Sequence, residues 1–352
     1  MIELITINDL HNYGNRLQNY ATQRFFKINN LDVENIVDES YYPMITKSVK
    51  TKILSYLRTI IKQGVKYYFS VRYREKHFLK FNEKIRYSGI NVNRVDSLYE
   101  KSINNCTIII GSDQVWNPSF GMSDITLLNG VKCRKKIAFS SSFGVNTMPY
   151  DQKAADCLND FNSLSVREEA GAKIIKELTG RDATVLVDPT MLLTQEEWRK
   201  VSKKPRGAKE GYILTYFLSP KCDEAKTKLE AIREDREVYE LLNPNDKVAG
   251  TAGPSEFLWL FDHADLILTD SFHACVFSFL FNKPFIVYDR NWDGGNMNSR
   301  LETLLSKFSL ERKYANSGIE NDIWEHDYTE GYKQLEIERK KAIDFLKKAL
   351  ED

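Results

Sequence analysis

The chain has 352 residues, 42% of them hydrophobic, and this length fits two domains of ordinary size better than one. Its 50 lysines and arginines nearly balance its 49 acidic residues, which excludes general nucleic-acid binding. The amino terminus carries Glu3 where a secretory leader would be basic, and no stretch approaches the roughly 20 apolar residues of a membrane span. We therefore expect a cytoplasmic protein, at most peripheral to the inner face of the membrane.

The cysteines and possible metal ligands do not form a recognisable site. No HExxH motif or aspartate-rich pair occurs, so we expect neither a metal nor another cofactor. The cysteines are scattered without paired spacing, which predicts reduced, mostly buried thiols; they are Cys106, Cys133, Cys157, Cys222 and Cys275.

A predicted buried strand at Ile2–Ile7 leads through an asparagine-rich turn into a helix that we place from about Arg16. A phosphate loop would lie here, but neither GxGxxG nor a Walker lysine is present. His11, Tyr13 and the asparagines of this turn, which are Asn8, Asn12 and Asn15, could instead hydrogen-bond a polyhydroxyl ligand. The alternative is a plain turn, because asparagine and glycine tolerate left-handed backbone.

Residues 43–86 form a basic segment with twelve lysines and arginines and only two acids, interleaved with apolar residues. The spacing predicts one long or two shorter amphipathic helices. Such helices can lie on an anionic membrane surface or hold an acidic acceptor. A solvated basic face over an apolar contact accounts for the same pattern.

Polar side chains follow each predicted strand of the first half. Thr107–Ile110 runs into Asp113, Gln114 and Trp116, a combination of carboxylate, carboxamide and aromatic platform that suits a sugar. The next predicted strand ends in the small residues 140–144, where a ligand could approach backbone N–H groups.

A further predicted strand, Leu164–Val166, ends at Arg167. At this position Arg167 could clamp an anion with its forked guanidinium. A salt bridge to Glu168, Glu169 or a nearby aspartate is the alternative.

The strand–helix alternation changes at Asp188-Pro189-Thr190, which we interpret as the passage into a second domain, and resumes at Tyr212–Leu218. We expect an N-terminal domain over 1–183 with the basic segment inserted, a C-terminal domain over 184–329 and a terminal helix over 330–352. The predicted architecture is α/β, with two Rossmann-like domains facing one another across a cleft.

The second half centres on a predicted βαβ unit, with strands at Leu266–Thr269 and Pro284–Tyr288 around a buried helix. Ligands in such sheets bind beyond the carboxyl ends of the strands, where Asp270, Ser271 and His273 lie. His273 would sit in the first helical turn, where an anion is favoured and could in turn favour the charged imidazole. The alternative is a structural histidine paired with Asp270.

Six blocks together resemble the polysaccharide pyruvyl transferase family of bacterial cell-surface glycan synthesis. They follow the family's order and span most of the chain: NYGNRLQNYA (12–21), GSDQVWNP (111–118), AFSSSFG (138–144), SVREEAG (165–171), VLVDPTMLL (185–193) and ADLILTDSFHACVFSFLFNKPF (264–285). The resemblance implies a fold similar to the glycosyltransferase-B architecture. It also implies pyruvyl transfer from phosphoenolpyruvate, as co-substrate, onto two hydroxyls of a sugar or lipid-linked oligosaccharide.

The family's histidine carries over to His273 and its arginine to Arg167. The block usually has a basic residue one or two places before the histidine, whereas this chain has Ser271 and Phe272. That donor-binding charge is either missing or supplied by Arg290, Arg300 or Arg167.

The chemistry needs a general acid at the donor and a base at the acceptor. We expect His273 as the acid, Asp113 or Asp270 as the base, and Arg167 and Ser271 as donor contacts. The expected acceptor contacts lie in the N-terminal half and are Asn12, Tyr13, Gln18, Gln114 and Trp116. A nucleotide-sugar glycosyltransferase of the same architecture and a non-catalytic glycan-binding protein remain alternatives.

Overall fold

The computed structural model describes residues 2–9, 11–38, 60–92, 98, 105–290, 299–317 and 322–351. The first part of the predicted basic segment, 43–59, lies outside the described residues. Within them, no helix is long and apolar enough to cross a bilayer.

Two parallel sheets form the framework. The first has the strand order β3-β2-β1-β4-β5-β6-β7 and the second β11-β10-β8-β9. The strands of the first sheet are β1 (Ile2–Ile5), β2 (Val33–Asp38), β3 (Tyr87–Val92), β4 (Thr107–Ile110), β5 (Lys135–Ser141), β6 (Ser163–Val166) and β7 (Thr184–Val185). Those of the second are β8 (Tyr212–Tyr216), β9 (Glu237–Glu240), β10 (Leu266–Thr269) and β11 (Phe285–Val287).

Helices connect these strands, as right-handed crossovers between parallel strands require. They are α1 (Tyr13–Ile28), α2 (Val65–Asn82), α3 (Gln152–Asn159), α4 (Glu169–Thr179), α5 (Gln195–Arg199), α6 (Asp223–Arg233), α7 (Pro254–His263), α8 (Phe272–Leu280), α9 (Ser299–Lys307) and α10 (Thr329–Leu350). Every residue of α8 is buried, in keeping with its almost wholly apolar sequence.

A shared core holds the two sheets together. The ring of Tyr13 on α1 stacks on Phe257 of α7 at 4.9 Å between centroids, and its hydroxyl donates to the Ala252 carbonyl at 2.6 Å. The terminal helix α10 returns to the first sheet, where the Lys135 ammonium donates to the carbonyl of Ala349. Beyond the carboxyl ends of β1 and β10, Gly14 and His273 lie in contact, so these two strand ends face one another.

The predicted α/β architecture is confirmed, with two differences in the strands. The first sheet has two further strands, β2 and β3, that we did not predict. β7 pairs with β6, so the first sheet extends past residue 183, where we expected its domain to end.

Candidate functional site

His273 lies where the starts of two helices meet, one from each sheet. It occupies the first turn of α8, directly after β10, and is buried. Across the cleft it touches Gly14, near the start of α1. A Cβ at Gly14 would lie 2.0 Å from His273 Nδ1, so only glycine allows this approach.

Asp188 is the carboxylate beside His273. Its Oδ2 lies 3.7 Å from His273 Nε2 and accepts a hydrogen bond from Arg167 Nη1 at 2.5 Å. Its Oδ1 accepts from the backbone N–H and the hydroxyl of Thr190 at 2.9 and 2.6 Å. Burial alone would raise the pKa of Asp188, but His273 and Arg167 hold that pKa well below its usual range. Asp188 is therefore ionised, accepts a hydrogen bond from Arg167 and lies beside the His273 ring.

Asp113 is a second carboxylate at the site, held by a chain of contacts from α1. Its backbone is left-handed, with φ of 73°, and its Oδ1 lies 3.7 Å from Arg167 Nη2. Asn15 donates from its side-chain amide to Asp113 Oδ2 at 3.0 Å, and its side-chain Oδ1 accepts from Arg16 Nη2 at 2.7 Å. Burial alone would raise the pKa of Asp113, but the charges of Arg167 and His273 lower it overall. The predicted base is thus an oriented, ionised carboxylate.

The ring of Phe272 contacts two arginines. The guanidinium carbons of Arg167 and Arg300 lie 4.9 and 5.8 Å from its centroid. Burial, and next the like charge of Arg167, lower the pKa of Arg300 to about 10. Two cations thus flank the ring of Phe272.

Several buried side-chain nitrogens of Arg167, Arg300 and His273 have no hydrogen-bond partner among the described residues. They are Arg167 Nε and Nη2, Arg300 Nε and His273 Nε2. A buried donor left unpaired is costly, and such groups are rare in folded proteins. Unpaired N–H groups of arginines are donors of the kind that bind multivalent anions.

The other two predicted donor-binding residues, Ser271 and Arg290, lie near the site but make fewer of its contacts. Ser271 precedes α8 without a side-chain capping bond, and its N–H donates to Thr269 Oγ1 at 3.0 Å. Arg290 is half-buried, and its charge contributes to the lowered pKa of Arg300.

Asp270 is used differently from our expectation. Its two carboxylate oxygens accept from the N–H groups of Leu218 and Ser219 at 2.7 and 2.9 Å, and from the Ser219 hydroxyl at 2.7 Å. Asp270 therefore fixes the loop after β8, and the carboxylate that faces His273 is Asp188.

Three predicted acceptor residues belong to the core. Trp116 is fully buried, packs on two phenylalanine rings and donates from Nε1 to the Thr126 carbonyl at 3.0 Å. Tyr13 is held by Ala252, as described above, and buried Gln18 donates to Thr6 Oγ1 at 3.1 Å. These side chains are inaccessible to a sugar because the packing that positions the site encloses them.

The remaining two acceptor candidates lie at the turns around the site. Asn12 is half-buried and caps α1 by accepting from the Asn15 N–H at 3.1 Å. Gln114 is buried against Gly144, where a Cβ would lie 2.1 Å from its Nε2.

The loop 140–144 is filled from within the protein. Glu168 Oε1 accepts from the Ser142 hydroxyl at 2.9 Å and from the N–H groups of Phe143 and Gly144 at 2.9 and 3.2 Å. The backbone donors that we expected to face a ligand thus bind a buried carboxylate.

Sequence reasoning missed Asp188 and Gly14 as parts of the site. Asp188 did have a signal, because an aspartate before proline follows a short buried strand, at the sheet edge that carries Arg167. In the described parts of the chain, the site included, no group of three or more His, Cys, Asp or Glu side chains could hold a metal ion.

The fold and site define an α/β protein in which a histidine, two arginines and two ionised aspartates lie together between two parallel sheets. The family model described as Polysaccharide pyruvyl transferase matches residues 12–291, and the chain belongs to this family. The match includes the site residues described above except Arg300.

Comparison with solved structures gives similarity at low identity. The UDP-GlcNAc 2-epimerase of Methanocaldococcus jannaschii is 14% identical over 82% of this chain and 83% of that chain, with a TM-score of 0.46. The Neisseria meningitidis UDP-GlcNAc 2-epimerase is 10% identical over 99% and 100% of the two chains, with a TM-score of 0.45. The glycosyltransferase SnogD from Streptomyces nogalater is 11% identical over 99% of each chain, with a TM-score of 0.39. None of these values implies a shared substrate. No curated protein sequence matches the chain significantly.

Proposed function

We propose that the protein transfers the pyruvyl group of phosphoenolpyruvate to two hydroxyls of one sugar in a cell-surface polysaccharide or its precursor. The products are a cyclic ketal and phosphate. The observation that carries the proposal is the set of unpaired buried donors on Arg167, Arg300 and His273, in a chain of the pyruvyl transferase family.

The donor has two anionic groups, a phosphate and a carboxylate, and the site offers two guanidinium groups. Arg167 and Arg300 would each direct N–H groups at these oxygens, with the start of α8 adding its dipole. An anion between the arginines also offsets the repulsion that lowers the pKa of Arg300.

His273 would protonate the methylene carbon of phosphoenolpyruvate. Its Nε2 has no hydrogen-bond partner, while Asp188 at 3.7 Å stabilises the imidazolium without taking its proton. Protonation of C3 makes the adjacent C2 electrophilic, and a sugar hydroxyl attacks there. Asp188 is thus a positioning residue and His273 the general acid.

Asp113 would act as the base at the acceptor, because it is ionised and oriented by Asn15. The first hydroxyl forms one C2–O bond, the C2–O bond to phosphate then breaks, and the second hydroxyl forms the other. Two hydroxyl protons are released. One balances the proton added to C3, and the other leaves with the phosphate.

A turnover assay tests the proposal. The protein is incubated with phosphoenolpyruvate and a panel of hexopyranosides and lipid-linked oligosaccharides, and products are analysed by mass spectrometry. We expect a sugar that gains one pyruvate less one water, with one phosphate released for each ketal, and no product with His273→Gln. Glycosyl transfer from nucleotide sugars, with phosphoenolpyruvate left intact, would contradict the proposal.

A further inference from the structure

The outer face of α2 combines large apolar side chains with cations. Val65, Phe69, Tyr73 and Leu79 are 54–56% exposed, an unusual grouping for a surface helix. At 100° per residue these positions fall on one side of the helix. Exposed Lys66, Arg72, Lys76 and Lys80 lie among them.

The single acidic residue of α2 does not neutralise the positive charge of this face. Glu75 is the one acidic residue in the helix sequence, and it lies at the edge of the face, where it pairs with Arg72 at 2.5 Å. The face therefore keeps a net positive charge. Residues 60–63 are also helical and add Ile61, which is 81% exposed, and Lys62.

The opposite face of α2 is anchored in the protein. Phe78 is buried with its ring 4.8 Å from that of Tyr13, and the Ser70 hydroxyl donates to the Pro244 carbonyl at 2.8 Å. A ring nitrogen of His77 hydrogen-bonds the Thr251 carbonyl at 2.9 Å. The helix cannot rotate its apolar residues inward without breaking these contacts, so the exposed side is not covered by the residues that the structure describes.

We propose that this face docks the protein on an anionic lipid bilayer. An interfacial helix of this kind buries its apolar side chains at the headgroup boundary while its lysines bind anionic lipids. A second copy related by twofold symmetry would bring unneutralised cations against cations. Nucleic acid would use the charges but leave the four large apolar side chains exposed.

The docked orientation brings the candidate active site near the lipid surface. The anchored face of α2 contacts Tyr13, and the next residue, Gly14, touches His273. The membrane would thus lie on the outer side of the helix whose inner side borders the cleft. Docking rests on the helix face alone and holds whether or not the proposed reaction is correct.

Vesicle binding of the full-length protein tests the proposal directly. Co-sedimentation is measured with phosphatidylcholine vesicles and with vesicles that also contain phosphatidylglycerol. We expect binding to the anionic vesicles only, weakened by salt. Lys66→Gln with Lys76→Gln should weaken it about 30-fold, and Phe69→Ser with Tyr73→Ser by at least about tenfold.

Matched control variants show whether binding depends on this face of α2 or on any exposed aromatic rings and lysines. Phe120→Ser with Tyr150→Ser removes aromatic rings that are 52% and 64% exposed elsewhere, and Lys340→Gln with Lys347→Gln removes exposed charges on α10. Both controls should bind like the wild type, with circular dichroism confirming the fold of all variants. Failure of the wild type to bind anionic vesicles would overturn the proposal, as would equal loss in the controls. A concentration-dependent dimer abolished by Phe69→Ser with Tyr73→Ser would assign the face to a second copy instead.

Discussion

Two turns at the carboxyl ends of strands look alike in sequence but differ in what fills them. The turn 142–144 after β5 and the start of α8 after β10 both follow a strand at the point where its regular hydrogen bonds end. In the first, Glu168 Oε1 takes the N–H groups of Phe143 and Gly144. In the second, Asp270 turns away to the β8 loop and His273 Nε2 keeps no partner.

The difference shows which N–H donors remain able to bind a ligand after the chain has folded. An internal carboxylate has satisfied the first turn, which makes it a structural element. The second turn and the arginines over Phe272 keep unpaired donors, which can be satisfied by a ligand. Substitutions at the first turn should therefore change the stability of the protein, and substitutions at the second should change its activity.

The largest effect is expected for His273→Gln. Removing the general acid should lower the rate of phosphate release from phosphoenolpyruvate by about 10²–10⁴-fold, with little change in stability because the side chain keeps a similar volume. The control is His263→Gln, since His263 bonds its own helix at Trp259. Comparable rate losses in both variants would contradict a general-acid role for His273.

Next in size is Arg167→Met, which leaves Asp188 buried without its closest cation. We expect a loss of about 3–5 kcal/mol in the free energy of unfolding, measured by urea denaturation, as well as loss of donor binding. Arg199→Met removes a more exposed pair with Asp262 and should cost under about 1 kcal/mol. Equal costs for the two variants would contradict the structural account of the buried pair.

Glu168→Ala should convert the filled turn into an open one. Removing the carboxylate leaves the N–H groups of Phe143 and Gly144 unpaired, at a cost of about 1–3 kcal/mol in unfolding free energy. Inorganic phosphate should then stabilise the variant more than it stabilises the wild type, as thermal unfolding can measure. If phosphate shifted both proteins equally, Glu168 would not be occupying an anion site.

The smallest effect, and one of opposite sign, is expected for Arg300→Met. The lowered pKa of Arg300 means that the folded protein disfavours its charge at neutral pH, so a neutral side chain should raise the unfolding free energy by about 1–2 kcal/mol. Donor affinity should fall at the same time. In the wild type, donor affinity should also fall as pH rises through about 10, where Arg300 loses its proton. A variant that is both less stable and equally able to bind donor would contradict this assignment.

The sequence predicts the framework well where strands are wholly apolar. Thr107–Ile110 and Leu266–Thr269 have the predicted bounds, because a continuous apolar run between turns is typical of a buried parallel strand. Val33–Asp38 and Tyr87–Val92 were not predicted. They mix polar residues into short runs and are recognisable mainly through their pairing with β1 and with each other.

The site residues also divide into those that the sequence predicts and those that it does not. Arg167 and His273 stand in distinctive blocks at strand ends, and the structure brings both against Asp188. That partnership depends on how the two sheets face each other, which no local pattern contains. Trp116 and Tyr13 were expected to contact a sugar because aromatic residues at strand ends suit sugars, yet the same rings suit a core, and the fold buries them.

Thermal unfolding with phosphoenolpyruvate tests the central claim most directly, because a ligand of the folded state raises its stability by mass action. At about 100 times the dissociation constant, phosphoenolpyruvate should stabilise the wild type by about 2.7 kcal/mol. The gain should be much smaller in Arg300→Met, which stays folded, and unchanged in the His263→Gln control. Equal stabilisation of the wild type and Arg300→Met, or stabilisation by nucleotide sugars alone, would contradict an anion site for phosphoenolpyruvate between these arginines and His273.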